Sequence, residues 1–460
     1  MRQNLKIYLQ KLLGEEYVLF EKAGPEPPTI RVNTLVTDVA RFLTFLRKKG
    51  VDFSQHPVND SGFILDEDFL PLSQTLAFFF GEFFYQGFSS QLPVIALDPQ
   101  PGENILDIAA APGSKSTQIA AMMQNRGQLF LNDVSIKRQQ SLLTNLSRSG
   151  IINDIVLRMP GQRLGRIFPE YFDHVLVDAP CSGISRIGPR DRVDFDATTF
   201  VNIQRQLLVS ALKAVKAGGT IVYSTCTITP EENEALIDEM IHGYPLQVEE
   251  IKDWDYPFIR NGRLNYDDRN YDSTIKNTRR VYPYPQPYET FFIARLRKTD
   301  SMSVRLSKQH VHFEPLKSAD QKPINSVLDW LSARWGIDPH IFSPYLFVLN
   351  QKKLWLVAKD QPQIPDQGFI KAGLPLAMFR GNEWKLTNAS VHFLGDEIKK
   401  SVIELRDREL KNLFREGKMQ VRSFRNGYYI LQRVQRKIGI ISVVNGVMKI
   451  HLPHHFDLVL

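Results

Sequence analysis

NILDIAAAPGSKSTQIAAMMQ, residues 104–124, joins a short apolar run to a loop of small residues and then to a helical pattern. The alternation continues through residues 90–298, where the further apolar runs are QLFLND, DIVLRM, HVLVDAP, TIVYSTC and TFFIARLRK. Helical patterns separate most of them, including a long one that runs to the Gly-Gly pair at 218–219. Short buried strands that alternate with helices are typical of a parallel sheet covered on both faces. We therefore predict an α/β fold.

The unusual residues of this segment follow the predicted strands. Asp133 ends the second strand, and Cys226 ends the fifth. Residues 158–161 follow the third strand, and residues 178–183 follow the fourth. The carboxyl ends of parallel strands lie at one edge of a sheet, where ligands bind in open α/β folds. The sequence therefore predicts one functional site that collects these residues.

The loop after the first strand contains only small residues before a lysine: Ala109, Ala110, Ala111, Pro112, Gly113, Ser114 and Lys115. A phosphate-binding P-loop needs a Gly-Lys pair and an upstream glycine, which this loop lacks, so a nucleoside triphosphatase is disfavoured. Small residues at a helix N-terminus let the backbone approach a ligand, and an acid that closes the next strand is typical of ribose recognition. The loop and Asp133 therefore indicate a nucleoside cofactor. Alternatively, Asp133 caps the helix that starts near Ser135.

The chain has only two cysteines, Cys181 and Cys226, and both follow predicted strands. They are far apart in sequence, without a Cys-x-x-Cys pair or a histidine cluster, so we expect no metal site. Buried core thiols are one alternative, and a disulfide is disfavoured in the cytosol. Two thiols beside Asp178 at the strand ends instead predict a thiolate nucleophile.

Composition indicates a globular cytoplasmic protein. The 460 residues are 43% hydrophobic and 23% charged, and no apolar stretch reaches the length of a membrane span. Charges scattered through the N-terminus argue against a signal peptide, and two cysteines suit a reducing compartment. The net charge of +7 fits an ordinary surface or a polyanionic partner. Residues 259–298 carry nine Lys/Arg and four Asp/Glu with interleaved tyrosines, which suits RNA contacts or an ordinary loop.

Three regions divide the chain. Residues 1–90 begin with an amphipathic helix, because four residues share one helical face: Leu5, Tyr8, Leu9 and Leu12. Residues 91–298 hold the alternating segment. Residues 299–460 predict a small mixed or β-rich appended domain, with a hairpin turn at Asn445-Gly446.

A set of segments in about residues 25–298 forms a specific pattern: TIRVNTL, YQGFSSQLP, LDIAAAPGSKSTQIA, LNDVSIKR, VDAPCSG, YSTCTITPEENEALID, RRVYP and ETFFIARLRK. Together these segments resemble the NOL/NOP/Sun family of RNA (cytosine-C5) methyltransferases. The order Pro-Cys-Ser-Gly and then Ser-Thr-Cys is the most specific part of the match. Further on, GLPLAMFRG and KIGIISVVNGVMKIHLP resemble the C-terminal PUA-like domain of bacterial 16S rRNA methyltransferases.

The resemblance implies a Rossmann-like methyltransferase core that uses S-adenosylmethionine, between an N-terminal RNA-binding region and a C-terminal PUA-like region. It places residues 109–115 beside the methionine part of the cofactor, Asp133 on its ribose and Asp178 between the cofactor and the base. It makes Cys226 the nucleophile that attacks carbon 6 of a cytosine, and Cys181 the second thiol that helps to release the product. Asp178 is then the candidate acid near N3 of the base. The Pro-Cys of DNA cytosine methyltransferases keeps the reverse roles of the two thiols open.

Two positions depart from the family pattern. Aligning PGQRL puts Pro160 where the family usually has an acid on the adenine side, and a proline side chain cannot accept a hydrogen bond. Either cofactor affinity is reduced or a neighbour such as Gln162 substitutes. Thr290 stands where the family usually has the glycine of Gly-Phe-Phe in the last strand.

The partner implied by the resemblance is RNA. The PUA-like likeness favours 16S rRNA or the small ribosomal subunit, with tRNA as the runner-up. A non-catalytic RNA-binding ribosome-assembly factor on the same scaffold is the alternative from another class, although a scaffold has no need of two thiols. We expect a monomer that does not bind a membrane.

Overall fold

A computed structural model describes most of the chain. The described residues are 3–66, 71–184, 196–302, 313–315, 321–350, 352–359, 363–365, 368–380, 383–434, 436–451 and 458. Within these ranges, no helix is both long enough and apolar enough to cross a membrane. Short 3₁₀ turns lie at Gly14–Glu16, Leu72–Gln74, Gly161–Arg163, Ser273–Asn277, Pro339–Phe342 and Gly395–Glu397.

The N-terminal segment forms a four-stranded antiparallel sheet with short helices around it. Its elements are α1 (Gln3–Leu13), α2 (Tyr17–Glu21), β1 (Thr29–Val32), α3 (Val39–Lys48), β2 (Phe53–Gln55), β3 (Gly62–Leu65), α4 (Leu76–Phe79) and β4 (Phe83–Tyr85). The strands lie in the order β2-β3-β1-β4. The predicted amphipathic helix is α1, and its side chains Leu5, Leu9 and Leu12 are buried.

The central segment alternates helices and strands, as predicted, and ends in antiparallel strands. Its elements are α5 (Phe88–Leu97), β5 (Asn104–Asp107), α6 (Ser114–Met122), β6 (Gln128–Asn132), α7 (Ile136–Arg148), β7 (Asp154–Leu157), α8 (Leu164–Ile167), β8 (Phe172–Asp178), α9 (Val201–Ala214), β9 (Val215–Thr225), α10 (Glu234–Gly243), β10 (Leu246–Glu249), β11 (Ile259–Asn261), β12 (Asn265–Tyr266), β13 (Arg269–Asn270), β14 (Arg279–Val281) and β15 (Phe291–Lys298). The short strands β12 and β13 pair only with each other.

The C-terminal segment is rich in β-strands. Its elements are β16 (Phe313–Pro315), α11 (Gln321–Trp335), β17 (Tyr345–Asn350), β18 (Lys353–Ala358), β19 (Gln363–Pro365), β20 (Phe369–Ala372), β21 (Leu374–Arg380), β22 (Glu383–Leu386), α12 (Asn388–Leu394), β23 (Val402–Glu404), α13 (Asp407–Glu416), β24 (Lys418–Gln420), β25 (Gly427–Arg433), β26 (Arg436–Val444) and β27 (Val447–Ile450). They form sheets β16-β19, β17-β18-β21-β22 and β23-β25-β26-β27-β24. The predicted turn joins β26 to β27, with φ of 50° at Asn445 and 75° at Gly446.

A ten-stranded sheet forms the centre of the fold. Nine strands follow the order β11-β14-β15-β9-β8-β5-β6-β7-β20, and β10 pairs with β15 beside this path. The five strands β9, β8, β5, β6 and β7 are parallel to one another. The strand order reverses between β5 and β8, which is the switch point where open α/β sheets bind ligands. The predicted α/β fold is confirmed.

Helices cover both faces of the parallel strands. Ile105 and Leu106 are neighbours on β5, and strand side chains alternate between faces. Leu106 packs with α8, α9 and α10, while Ile105 packs with α5, α6 and α7. Burial on both faces explains why these strands are almost continuously apolar.

The helix predicted to reach the Gly-Gly pair is shorter than expected. Helix α9 ends at Ala214, and β9 begins at Val215 and includes both glycines. A Cβ on Gly219 would lie 2.7 Å from the backbone oxygen of Asp173 on β8. The glycine therefore allows close approach of two strands and does not end a helix.

Strand β20 belongs to the central sheet although it lies beyond residue 298, in the predicted C-terminal region. It pairs antiparallel with β7 at the sheet edge, where the buried side chains of Lys371 and Asp154 form an ion pair. The division at about residues 90 and 298 stays a prediction, and a cut at 298 would remove this strand from the central sheet.

Candidate active site

Four neighbouring strands of the sheet end at one edge. Cys226 follows β9, and Asp178 is the last residue of β8. Residues 109–115 follow β5, and Asp133 follows β6. The structure therefore brings together the residues that the sequence places at strand ends.

The two thiols are in direct contact, because Sγ of Cys181 lies 3.1 Å from Sγ of Cys226. Asp178 of β8 pairs in parallel register with Ser224 of β9, so the chain leaves both strands side by side. Both cysteines are free and half-buried. The hydrogen bond with Cys181, together with burial, raises the pKa of the Cys226 thiol. This environment favours the thiol of Cys226 over the thiolate.

The carboxylate of Asp178 is held on both oxygens. Lys115 Nζ donates to Oδ2 at 2.8 Å, and Ser224 Oγ donates to Oδ1 at 2.8 Å. Lys115 Nζ also donates to Ser90 Oγ at 3.0 Å and lies 5.2 Å from the ring centroid of Phe291. Lys115 thus places its positive charge beside Asp178 at the end of β8.

The small-residue loop turns sharply into α6. Gly113 has φ of 105°, and a Cβ there would lie 2.9 Å from Cδ1 of Leu142 on α7. Only glycine fits this left-handed, crowded position without strain. Asn145 of α7 donates to the backbone oxygen of Pro112 at 2.9 Å and supports the turn from outside.

Asp133 connects this loop to the end of β6. Its Oδ2 accepts the backbone N–H of Ala111 at 3.2 Å, and its Oδ1 accepts that of Ser135 at 2.8 Å. The side chain that caps α7 is Ser135, whose Oγ accepts the N–H of Arg138. The alternative role of Asp133 as the cap of α7 is therefore wrong.

The donor and acceptor groups at this edge fit S-adenosylmethionine. Each oxygen of the Asp133 carboxylate accepts one backbone N–H, and Oδ2 also lies 3.4 Å from Nη1 of Arg138, so Oδ1 is the oxygen that keeps a lone pair for a ribose hydroxyl. Asp178 places a second carboxylate at the neighbouring strand end, which suits a cationic sulfonium or amino group. Residues 109–111 are alanines, whose methyl side chains themselves take little space in this loop.

Glu232 joins the two thiol loops, and sequence reasoning missed it. This side chain is fully buried, at 0% exposure. Its oxygens accept from the N–H and Oγ of Ser182, which follows Cys181, and from Thr229 Oγ1 at 2.9 Å. Gln204 Nε2 donates to it at 2.7 Å. The carboxylate therefore holds the loop after β8 against the loop after β9.

Helix α1 packs on the same two loops. Leu9 of α1 shares an apolar cluster with Ile184, from the loop after β8, and Ile228, from the loop after β9. The backbone N–H of Ile228 donates to the oxygen of Ile184 at 3.2 Å, and Tyr8 donates to Glu231. The N-terminal helix thus packs against both loops that carry the thiols. Its amphipathic pattern predicted a buried face but did not identify the residues that cover that face.

The positions that depart from the family pattern lie at the same side of the sheet. Pro160 is exposed, Gln162 is half-buried beside it, and Thr290 is buried next to β15. Across the residues that the structure describes, no group of three or more His, Cys, Asp or Glu has an arrangement suited to a metal ion.

The sequence is similar to those of ribosomal RNA methyltransferases. A family model described as 16S rRNA methyltransferase RsmB/F matches residues 94–297. The ribosomal RNA small subunit methyltransferase F of Citrobacter koseri is 33% identical over 443 residues, which cover 92% of this chain and 89% of that protein. The protein of the same name from Escherichia coli O157:H7 is 33% identical over 407 residues, which cover 84% and 81%.

Solved structures show the same architecture. A methyltransferase homologue from Pyrococcus horikoshii has a TM-score of 0.58 at 36% identity, covering 63% of this chain and 93% of that one. The NSun6 structure from Pyrococcus horikoshii has a TM-score of 0.56 at 24% identity, covering 65% and 98%, and shares the fold. The central sheet is that of the S-adenosylmethionine-dependent methyltransferases, and the chain belongs to the RsmB/F family of 16S rRNA methyltransferases.

Proposed function

We propose that the protein methylates carbon 5 of a cytosine in RNA, with 16S rRNA as the favoured substrate, through a covalent bond between Cys226 and carbon 6. The observation that carries this proposal is the contact between the thiols of Cys181 and Cys226, 3.1 Å apart beside Asp178. A pyrimidine ring placed there meets a nucleophile at one carbon and a base at the next. Family membership supports an rRNA substrate.

The first step forms a bond between Cys226 Sγ and carbon 6. Carbon 5 of cytosine is a weak nucleophile, and thiolate addition at carbon 6 converts the ring into an enamine. Because Cys226 rests as a thiol, its proton must leave as the bond forms. We assign that proton to N3 of the base, carried by Asp178, so that the adduct stays neutral. Lys115 and Ser224 hold the Asp178 carboxylate for this transfer.

The second step transfers the methyl group and releases the product. Bound S-adenosylmethionine supplies an electrophilic methyl group, which carbon 5 of the enamine attacks. Cys181, acting as a thiolate, then takes the proton from carbon 5. The double bond between carbons 5 and 6 re-forms, and Cys226 leaves as a thiolate. N3 gives up its proton, so one hydrogen ion is released for each methyl group transferred.

Three alternatives to this proposal stay open, and each has a different consequence. If Cys181 is the nucleophile, the two thiols exchange roles at the same 3.1 Å contact. If tRNA is the substrate, the chemistry is unchanged and only the RNA differs. If the protein is a non-catalytic RNA-binding assembly factor, it binds RNA but transfers no methyl group. The contacting thiols favour catalysis, because RNA binding alone needs neither.

Tritium release tests the proposed reaction directly. RNA carrying tritium at carbon 5 of its cytosines should lose tritium in step with methyl incorporation, because the reaction replaces that hydrogen. Naked 16S rRNA, assembled small subunits and tRNA, each from cells that lack the enzyme, give the three substrate arms. Methyl incorporation without tritium release would place the methyl group on another atom. RNA binding without either signal would favour the assembly factor.

Asp133→Asn should weaken binding of S-adenosylmethionine by about tenfold or more, because a hydrogen bond to a charged group contributes about 1.5–3 kcal/mol. Isothermal calorimetry measures the affinity without requiring catalysis. Asp300→Asn, at an exposed position after β15, is the matched control. An Asp133→Asn protein that binds the cofactor as tightly as the wild type would contradict the assignment of Asp133 to the ribose.

A further inference from the structure

A cavity lies in the C-terminal segment, between α11, β22 and β25. Its volume is about 280 Å³, and its lining includes three tryptophans, two basic residues and a tyrosine: Trp330, Trp335, Trp384, Arg334, Lys385 and Tyr428. Three of the five tryptophans in the chain therefore surround one cavity. None of the residues assigned to methyl transfer lines it.

The indole of Trp335 leaves a hydrogen-bond donor without an acceptor. This side chain is 2% exposed, and its Nε1 has no hydrogen-bond partner among the residues that the structure describes. Buried indole N–H groups normally find a partner, because an unsatisfied buried donor costs about 1–3 kcal/mol. This nitrogen is itself inaccessible to solvent, so Trp335 offers the cavity part of its ring and not the N–H group.

The polar groups of the cavity are arranged around Tyr428. Arg334 donates to its backbone oxygen at 2.7 Å, and Lys385 donates to its hydroxyl at 2.8 Å. Lys385 Nζ also lies 4.4 Å from the centroid of the Tyr428 ring. Glu383 is 3.5 Å from Lys385 and offsets one of the two positive charges. The cavity therefore keeps a net positive charge, which favours an anionic ligand.

We propose that this cavity binds one unpaired nucleotide of the RNA substrate, away from the methylated cytosine. The base contacts the tryptophans, while its phosphate lies beside Arg334 and Lys385. Aromatic faces with nearby cations are the features that bind single-stranded RNA. The inference rests on the proposed function only in taking RNA as the substrate.

Tryptophan fluorescence measures this binding without methyl transfer. A short single-stranded RNA of mixed sequence should quench the emission on titration, whereas the same sequence as a duplex should not, since a paired base cannot enter the cavity. Lys385→Glu should weaken the single-strand affinity by about tenfold, through loss of a cation and gain of an anion at the phosphate. Trp335→Phe replaces an indole of the cavity lining with a smaller aromatic ring and should weaken the affinity severalfold.

Lys353→Glu is the matched control. Lys353 is an exposed lysine of the same segment, 5.9 Å from the ring centroid of Trp355, and it does not line the cavity. Its reversal should change the affinity by less than about twofold. Wild-type affinity in both Lys385→Glu and Trp335→Phe, or equal quenching by the duplex, would overturn the proposal.

Methyl transfer separates this proposal from the proposed function. Lys385→Glu should raise the KM for RNA and leave kcat unchanged, because the cavity positions RNA and takes no part in the chemistry. If the wild type releases no tritium from any RNA but quenching still depends on Lys385, the proposed reaction fails and the nucleotide site stands. If tritium is released and quenching is unaffected by both variants, the reaction stands and the nucleotide site fails.

Discussion

Cys226→Ala should lower the rate of methyl transfer by about 10⁴-fold or more, because removal of the nucleophile abolishes the covalent route. The chain has one other cysteine, Cys181, which the proposed reaction uses as the base. Cys226 is half-buried next to an apolar cluster, where an alanine is tolerated, so the variant should fold and still bind S-adenosylmethionine. Single-turnover tritium release with excess enzyme measures the loss, and calorimetry with the cofactor checks the fold.

Cys181→Ala should show a different defect. The nucleophile remains, so the adduct to carbon 6 forms and the methyl group is transferred, but the base for the carbon 5 proton is missing. RNA covalently bound to the protein should accumulate and migrate as a slow band on a denaturing gel. Addition of the double variant, without either thiol, provides the control for non-specific cross-linking.

The two single variants distinguish the roles of the thiols. An adduct that accumulates in Cys226→Ala and is absent from Cys181→Ala would reverse the assignment and make Cys181 the nucleophile. Full turnover in both variants would contradict covalent catalysis altogether. The 3.1 Å contact between the thiols accommodates the forward and the reversed roles, which is why the variants are needed.

The location of the site could be predicted from the sequence, because the prediction needs only the positions at which the parallel strands end. Apolar runs separated by helical patterns predict parallel strands, and the residue after each strand must then lie at one edge. That argument placed Asp133, Asp178 and both cysteines near one another without any knowledge of strand order. The roles given to these residues stay proposals, since position alone does not identify a nucleophile.

Other features depended on contacts between distant segments. Glu232 precedes α10, which begins at Glu234, and its side chain accepts from Ser182 in the loop after β8. Lys115 has a long flexible side chain, so its position in the first turn of α6 did not reveal its contact with Asp178. The pairing of β20 with β7 joins segments about 200 residues apart, which no local pattern predicts.

Glu232→Ala should lower kcat by about 10²-fold while changing the KM for RNA and for cofactor much less, because a displacement of about 1 Å at the reacting groups costs about that much. The carboxylate holds Ser182 and Thr229, one from each thiol loop, and the alanine releases both. Glu232 does not touch the thiols, so we regard it as a positioning residue.

Disulfide formation by the two thiols separates positioning from a general loss of stability. Diamide takes two hydrogen atoms from a thiol pair, and thiols 3.1 Å apart should react with it quickly in the folded wild type. Glu232→Ala should slow this reaction at temperatures where circular dichroism still shows a folded protein. Glu239→Ala, which breaks an exposed ion pair between α10 and Arg205 of α9, should leave both kcat and the disulfide rate within about twofold. A Glu232→Ala protein with wild-type disulfide formation and reduced kcat would show that the thiol contact survives without the carboxylate, and that its defect arises elsewhere.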